Sequence, residues 1–181
     1  MQHEVVSHER WIAARKAFLE KEKEFSHMRD RLTAELRDLP WSRVDKEYAF
    51  ETPEGRKTLS DLFGGNSQLI IQHFMFAPEW DAGCTGCSFA MDHVNAANLH
   101  LRHHDVSYVA VARAPLGKLE SYRRRMNWEI PFASSAASDF NFDFNVSFTP
   151  EQLASGKVIY TFEEMESTND SIAHLPGATV S

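Results

Sequence analysis

The stretch that decides the fold is QLIIQHFMF at residues 68–76, followed after a short loop by CTGCSF at residues 84–89. The first segment is apolar and predicts a buried strand, and residues 88–104 have the apolar spacing of a helix. Cys84 and Cys87, the only cysteines in the chain, therefore lie between a strand and the start of a helix. A helix N-terminus lowers the pKa of a thiol, because its unpaired N–H groups and its dipole favour the thiolate.

The Cys-x-x-Cys spacing gives each cysteine a redox role. Cys84, at the predicted helix start, is expected to attack a substrate disulfide, and Cys87, one turn further, is expected to resolve the mixed disulfide. Two cysteines do not form a structural disulfide framework, so redox activity or metal binding explains them better. The sequence thus predicts a thiol–disulfide oxidoreductase that needs no cofactor and no metal.

A zinc-binding module is the alternative that involves no catalysis. Cys84, Cys87, His100 and His104 have the spacing of a Cys2His2 zinc site. The helical pattern begins directly after the cysteines, however, which places His100 roughly 18 Å along the helix axis from the first turn. A redox-silent interaction module with a structural cysteine pair belongs to the same alternative.

The segments after the cysteines continue an α/β pattern. Ala90, Val94, Ala97 and Leu101 are expected to form the buried face of the helix. Residues 106–112 are rich in β-forming apolar residues and predict a second buried strand. Pro115 is expected to open another helix that reaches about Asn127. Strand, helix, strand and helix at this spacing indicate a parallel sheet.

A long helix is predicted for residues 7–39, with Ser7 as its N-cap and Pro40 after its end. An apolar residue recurs at every seventh position, and the series comprises Trp11, Phe18, Phe25, Leu32 and Leu39. The stripe predicts packing on the domain or a dimer-forming arm. Lys21 and Glu35 lie at positions that suit a coiled-coil seam poorly.

The remaining segments give shorter predictions. Residues 130–133 are expected to form an edge segment, and residues 139–145 alternate like a half-buried strand, with an anchored loop as the alternative. Residues 149–156 have the start and stop signals of a helix. Residues 157–162 are expected to form a strand, and the polar residues 163–173 a loop.

Composition narrows the class of protein. The 181 residues carry a net charge of −7, with 43% hydrophobic and 25% charged residues, as expected for a soluble globular domain. An acidic chain disfavours a nucleic-acid partner. No apolar run is long enough to cross a membrane, and the N-terminal residues lack the apolar region of a secretory signal, so a cytoplasmic location is expected.

The motifs resemble those of the bacterial domain-of-unknown-function 899 family. The similar segments are His73–Phe76, Trp80, Gly83–Phe89, Asp92–His93, Arg113–Leu116, Arg123–Met126 and Ser138–Asn141. Members of that family are described as dithiol-disulfide oxidoreductases with a thioredoxin-like fold, and residues 48–63 resemble its peroxiredoxin-like branch. The resemblance implies an N-terminal helical extension at 1–45 and a thioredoxin-like domain at 46–181, acting on a disulfide-containing protein or a small thiol.

The resemblance also implies three residues that bind the substrate beside the cysteines. Trp80 would flank the pair, and Arg113 would lower the pKa of Cys84 or hold an anionic substrate. Pro176 would be the cis-proline that faces the cysteines. Thiol peroxidase activity is the further alternative, although peroxidases of this fold have threonine three residues before the cysteine, where this chain has Asp81.

The C-terminal part of the fold is expected to be shortened. A thioredoxin-like sheet continues past the proline strand with another strand and a helix, whereas five residues follow Pro176 here. An open edge strand favours pairing with another chain. The sequence therefore predicts a homodimer or a larger homo-oligomer.

Overall fold

A computed structural model describes residues 3–167 and 173–180 of the chain. The chain divides into two compact units, Met1–Asp45 and Lys46–Ser181. The first unit is built on one helix and the second on a mixed sheet with helices, so each is described by itself.

The first unit contains the long helix α1, His8–Arg37. The side chain of Ser7 caps it by accepting a hydrogen bond from the Arg10 N–H, and Pro40 follows its end, as predicted. No residue of α1 is buried.

The main sheet of the second unit has the strand order β2-β1-β5-β4-β3-β8. Its strands are β1 Ala49–Thr52, β2 Gly55–Thr58, β3 Gln68–His73, β4 Val106–Ala112, β5 Phe132–Ser134 and β8 Gly177–Val180. Strands β3, β4 and β5 are parallel, whereas β1 and β8 run antiparallel to their neighbours. The predicted strand–helix–strand order is confirmed, because α2, Thr85–His103, joins β3 to β4, and α3, Leu116–Arg125, leads towards β5.

Side chains alternate between the two faces of the sheet and form two cores. On one face, Ala110 and Phe132 pack with Met91, Leu119 and Trp128 from the segments that contain α2, α3 and the residues after α3. The other face has its own buried cluster, which comprises Tyr48, Phe50, Leu62, Leu69, Ile71, Val109, Val111, Ala133 and Phe140. The cysteine pair belongs to the first core.

The prediction of the buried face of α2 was wrong, because the face that is buried is rotated about the helix axis by part of a turn. Ala90 and Ala97 are exposed, whereas Met91 is fully buried together with Cys87 and Ser88. Alanine is apolar but small, so it indicates orientation weakly, and the larger Met91 fills the core instead.

Two short segments also differ from their predictions. Residues 132–134 form an interior strand, β5, which pairs with β4 and with β1 and is fully buried. Residues 140–143 form the helical turn α4 rather than a strand. Lys46 Nζ lies 3.1 Å from Asp139 Oδ2 and 2.6 Å from Asp143 Oδ2, so the turn brings both carboxylates to one lysine.

A small hairpin stands apart from the main sheet. Helix α5, Pro150–Ala154, has the predicted capping box between Thr149 and Gln152. It leads to β6, Lys157–Tyr160, which pairs with β7, Glu163–Glu166. The predicted loop 163–173 was therefore wrong for residues 163–166, and residues 168–172 lie outside the described residues. Thr161 and Phe162 both have positive φ, 50° and 67°, which suits a two-residue hairpin turn but lacks its usual Asn-Gly signal.

Strand β8 pairs with β3 in register Ile71↔Thr179 and lies at the edge of the sheet. Within residues 3–167 and 173–180, no helix combines the length and the apolarity that a bilayer crossing requires.

Candidate functional site

The cysteine loop is held against the end of β3 by backbone hydrogen bonds. Phe74 N–H donates to Val111 at 2.8 Å, and Ala114 N–H donates to Phe76 at 2.8 Å, so the chain stays beside β4 after β3 ends. Cys84 N–H then donates to the Met75 carbonyl at 2.9 Å. This bond returns the loop to the strand and places Cys84 at the N-cap of α2.

The loop approaches the core too closely for a side chain at residue 83. A Cβ atom on Gly83 would lie 2.4 Å from Cε1 and 2.7 Å from Cζ of Phe74. The ring of Phe74 is buried in the core, so it has little space to move. Glycine is therefore required by the close approach immediately before Cys84.

The two thiols, both free, differ in their surroundings. Cys84 is partly exposed, whereas Cys87 is 6% exposed. Burial raises the pKa of Cys87 to about 11, a hydrogen bond from the Met75 N–H opposes the rise, and the neighbouring Cys84 adds to it. At neutral pH Cys87 is a buried thiol.

Hydrogen bonds fix the first turn of α2 to its surroundings. Ser88 Oγ donates to the Cys84 carbonyl at 2.8 Å and lies 2.9 Å from the hydroxyl of Tyr122 on α3. On the opposite side, Gln72 Nε2 donates to the Cys87 carbonyl at 3.3 Å. The backbone of both cysteines is thus tied to β3 and to α3.

A lysine from α3 holds the loop that precedes the cysteines. Lys118 Nζ donates to the carbonyls of Pro78 and Trp80, each at 2.9 Å. The two carbonyls lie in a loop, where no strand or helix supplies a hydrogen-bond donor, and the single ammonium group of Lys118 donates to both. The position of Trp80 therefore depends on α3.

Arg113 lies just after β4 with its guanidinium carbon 4.4 Å from the centre of the Phe142 ring. Burial lowers its pKa, and the charge of Glu79 opposes that change. Its buried Nε has no hydrogen-bond partner within the described part of the chain. The residue as a whole is half-buried, and the charge of its guanidinium is suited to an anionic group of a ligand.

His174 connects Arg113 with Trp80. Its Nδ1 lies 2.9 Å from Ser147 Oγ, and its ring centre lies 6.3 Å from that of Trp80. Burial, and then the charge of Arg113, lower the pKa of His174. Arg113 and His174 line one small cavity together with the end of β3, including Met75. The structure thus brings Cys84, Trp80 and Arg113 to the same end of the sheet.

Pro176 lies immediately before β8, as expected of a proline that precedes a core strand. The expectation of a cis peptide bond before Pro176 is wrong, since the described residues contain no cis peptide bond. Its carbonyl accepts a hydrogen bond from Tyr160 Oη at 2.6 Å, and it is not among the described residues that line the cavity of Arg113 and His174.

The zinc arrangement is not formed. Cys84 and Cys87 lie at the first turn of α2, whereas His100 lies near its last turn and His104 caps its end. The thirteen residue steps along the helix from Cys87 to His100 span roughly 20 Å. Among the described residues, no cluster of three or more histidine, cysteine, aspartate or glutamate side chains could hold a metal ion.

One large cleft of the domain lies away from the thiols. It has a volume of about 660 Å³ and is lined by residues of β1, β2, β4 and the C-terminal part of α2, including Arg102 and His103. Neither cysteine lines it. The cysteine end of α2 remains the candidate site.

Four residues of the site were not identified from the sequence, namely Gly83, Ser88, Lys118 and His174. Gly83 and Ser88 adjoin the cysteines, so their position was a usable signal. Lys118 and His174 reach the site only through the fold, and His174 is separated from Pro176 by a single residue.

The sequence matches one protein family over residues 1–180. That family is described as a bacterial protein of unknown function, DUF899. The chain belongs to this family. The resemblance inferred from the motifs is confirmed, and a comparison with curated proteins finds no match.

Solved structures show what the fold is. Peroxiredoxin Q of Xanthomonas campestris is 12% identical, with a TM-score of 0.50 over 73% of this chain and 71% of that chain. The bacterioferritin comigratory protein of the same organism, studied for alkyl peroxide reduction, is 11% identical with the same TM-score and coverage. Peroxidoxin BcpB of Mycobacterium tuberculosis is 16% identical, with a TM-score of 0.47 over 67% and 69%. At these identities the likeness concerns the fold alone, and the two Xanthomonas campestris structures confirm the predicted thioredoxin-like fold.

Proposed function

We propose that this protein is a thiol–disulfide oxidoreductase in which Cys84 attacks and Cys87 resolves. The observation that carries the proposal is the difference in burial between two thiols one helical turn apart. Cys84 is accessible at the N-cap of α2, whereas Cys87 is 6% exposed. A substrate disulfide can meet only the accessible sulfur, so Cys84 is the thiol that can attack first.

The reaction proceeds in two displacements. The Cys84 thiolate attacks one sulfur of a substrate disulfide, which forms a mixed disulfide and releases the other substrate sulfur as a thiolate. The Cys87 thiolate then attacks Cys84, which forms the Cys84–Cys87 disulfide and releases the second substrate thiolate. Two electrons pass from the cysteine pair to the substrate, and a second thiol or dithiol must reduce the pair again.

The surroundings of Cys87 support its role in the second displacement. Part of the rise in its pKa comes from Cys84. Formation of the mixed disulfide removes the charge of Cys84, so the proton on Cys87 becomes easier to release at the moment when Cys87 must attack. The Met75 N–H remains in place to stabilise the thiolate that forms.

Two further residues are proposed to contact the substrate. Trp80 offers a partly exposed ring beside the cysteine loop, and the half-buried cation of Arg113 offers its charge to an anionic group of a protein or small-molecule disulfide. Pro176 stays a prediction from the resemblance. The cytoplasmic location, where reducing thiols would regenerate the pair, stays a prediction from the sequence.

The proposal is tested with Cys84→Ser and Cys87→Ser on a small aromatic disulfide whose reduced form absorbs light. We expect Cys84→Ser to lose turnover by about 100-fold or more, since no attacking thiolate remains. Cys87→Ser should instead accumulate a mixed disulfide, visible as the mass of half a substrate added to the intact protein.

Thiol peroxidase activity uses the same residues and is measured beside it. The same three proteins are incubated with an alkyl hydroperoxide, and peroxide loss is followed. Equal disulfide turnover by Cys84→Ser and wild type would refute the proposal. Rapid peroxide turnover without disulfide turnover would replace it with the peroxidase alternative.

A further inference from the structure

The apolar stripe of α1 is an exposed hydrophobic feature of the first unit. Its aromatic members, Trp11, Phe18 and Phe25, are 53%, 57% and 67% exposed, and Leu32 is 59% exposed. The stripe runs along a helix of 30 residues without a buried side chain. Exposed apolar surface of this kind marks an interaction site.

We propose that the stripe binds a second copy of the same chain, with the two α1 helices antiparallel in a two-stranded coiled coil. Apolar residues repeat every seven positions from Trp11 to Leu32 within α1, which spans three heptads, and Leu39 continues the series two residues past the end of the helix. A repeat of seven sustained over this length is the signature of a helix that pairs with another helix.

The second row of seam residues selects the antiparallel arrangement. This row consists of Ala14, Lys21, Met28 and Glu35. In a parallel homodimer each residue faces its own copy, so Lys21 would meet the partner's Lys21 and Glu35 the partner's Glu35. In an antiparallel pair each member of this row faces a member of the first row, and the like charges separate.

One alignment matches both the apolar and the charged residues. Placing Phe25 opposite the partner's Met28 also places Lys21 opposite the partner's Leu32 and Phe18 opposite the partner's Glu35. The stem of Lys21 then covers the partner's Leu32 while its ammonium reaches solvent. Large side chains therefore alternate with small or flexible ones along the seam.

The charged residues on either side of the seam favour this alignment over those in which one helix is shifted by a heptad. Glu22 faces the partner's Arg29, and Glu24 faces the partner's Arg31, which gives four ion pairs by two-fold symmetry. Sliding one helix by a heptad in one direction sets Glu22 and Glu24 against their own copies. Sliding it in the other direction sets Arg29 and Arg31 against theirs.

Glu22 already has a partner on its own helix. Its carboxylate lies 2.8 Å from Arg15, so in the dimer it would lie between two guanidinium groups. Exposed ion pairs contribute little stability individually. The apolar stripe therefore supplies the affinity, and the charges determine orientation and register.

The first experiment measures mass by light scattering across the micromolar range, with reductant present so that no intermolecular disulfide contributes. We expect wild type at twice the 20.7 kDa chain mass. Phe25→Glu should be monomeric, because two buried carboxylates would face apolar residues. Lys16→Glu, which changes charge on the opposite side of α1, should remain dimeric.

The second experiment exchanges charges across the proposed seam. Glu22→Arg and Arg29→Glu should each raise the dimer dissociation constant by about tenfold or more. The double variant should return it to within about threefold of wild type, because the pairs re-form with reversed signs. A monomeric wild type, a dimeric Phe25→Glu, or a double variant no better than the single ones would overturn the proposal.

Discussion

Gly83 determines how closely the reactive turn approaches the core. The ring of Phe74 occupies the space that a Cβ atom would need, at 2.4 Å. The next residue donates the hydrogen bond from Cys84 to Met75. A side chain at residue 83 would therefore displace either the buried ring or the backbone that carries the thiol.

Gly83→Ala is expected to lower the free energy of unfolding by about 1–3 kcal/mol, as overpacking of a core does. It should also slow alkylation of Cys84, since the turn that presents the thiol shifts. Denaturant unfolding and the rate of thiol alkylation measure the two effects.

Gly86→Ala is the matched control for this substitution. Its Cβ would meet Cys84 Sγ at 3.9 Å, an ordinary contact. Because residue 86 lies within a helix, alanine should be neutral or stabilising by up to about 1 kcal/mol. Equal unfolding midpoints for the two variants would show that the contact with Phe74 is unimportant.

The loop before α2 is positioned by a neighbouring helix as well as by its own residues. Lys118 on α3 holds the carbonyls of Pro78 and Trp80, and Ser88 of α2 meets Tyr122 of α3. Helix α3 therefore contacts both sides of the cysteine turn, and residues of α2 and α3 together position the site.

Lys118→Met should reduce disulfide turnover several-fold while changing stability little, because it frees the loop without opening the core. Turnover and unfolding are measured together with those of Lys157→Met. Lys157 is an exposed lysine whose ion pair with Glu164 lies in the separate hairpin, so its loss should leave turnover unchanged. Identical turnover in the two variants would contradict the positioning role of Lys118.

Long apolar segments of the chain were predictable, and short ones were not. The strand 106–112 follows from its run of β-forming apolar residues, and the presence of α2 follows from its apolar spacing, although its buried face was misassigned. Strand β5 has three residues, too few to show a pattern. Its interior position depends on pairing with β1 and β4, which lie far away in the sequence.

Some residues of the candidate site could be predicted from the sequence, and others could not. Cys84 and Cys87 could be found because their spacing and local position indicate their chemistry. Lys118 and His174 could not, since a lysine on a helix and a histidine in a loop are ordinary surface residues until the fold places them. The contacts Lys118–Trp80 and His174–Trp80 join segments that are distant along the chain.

The stability of the whole domain is linked to pH through His73. The side chain is 2% exposed, its Nε2 lies 2.8 Å from Thr179 Oγ1, and it therefore joins β3 to the edge strand β8. Burial lowers its pKa to about 4 from an ordinary 6.5. The unfolded chain binds the proton more readily than the folded one, so stability is complete above pH 6.5 and falls as the pH approaches 4.

His73→Gln should weaken this pH dependence. The loss of unfolding free energy between pH 7 and pH 4.5 should be smaller than in wild type by about 2–3 kcal/mol, given about 1.4 kcal/mol for each pH unit. Denaturant unfolding at several pH values measures it. His27→Gln, at an exposed position on α1, should keep the wild-type slope, and the same slope in all three proteins would contradict the role of His73.

The burial of Cys87 has a kinetic consequence. Under the proposed reaction, the first displacement depends on how often a substrate collides with the protein, whereas the second involves two sulfurs on one helical turn. The second step is therefore unimolecular, with a high effective concentration of the attacking thiol. The rate at which the disulfide-linked substrate is released would then be set by a rate constant of the protein itself. It would not depend on the concentration of thiols in solution.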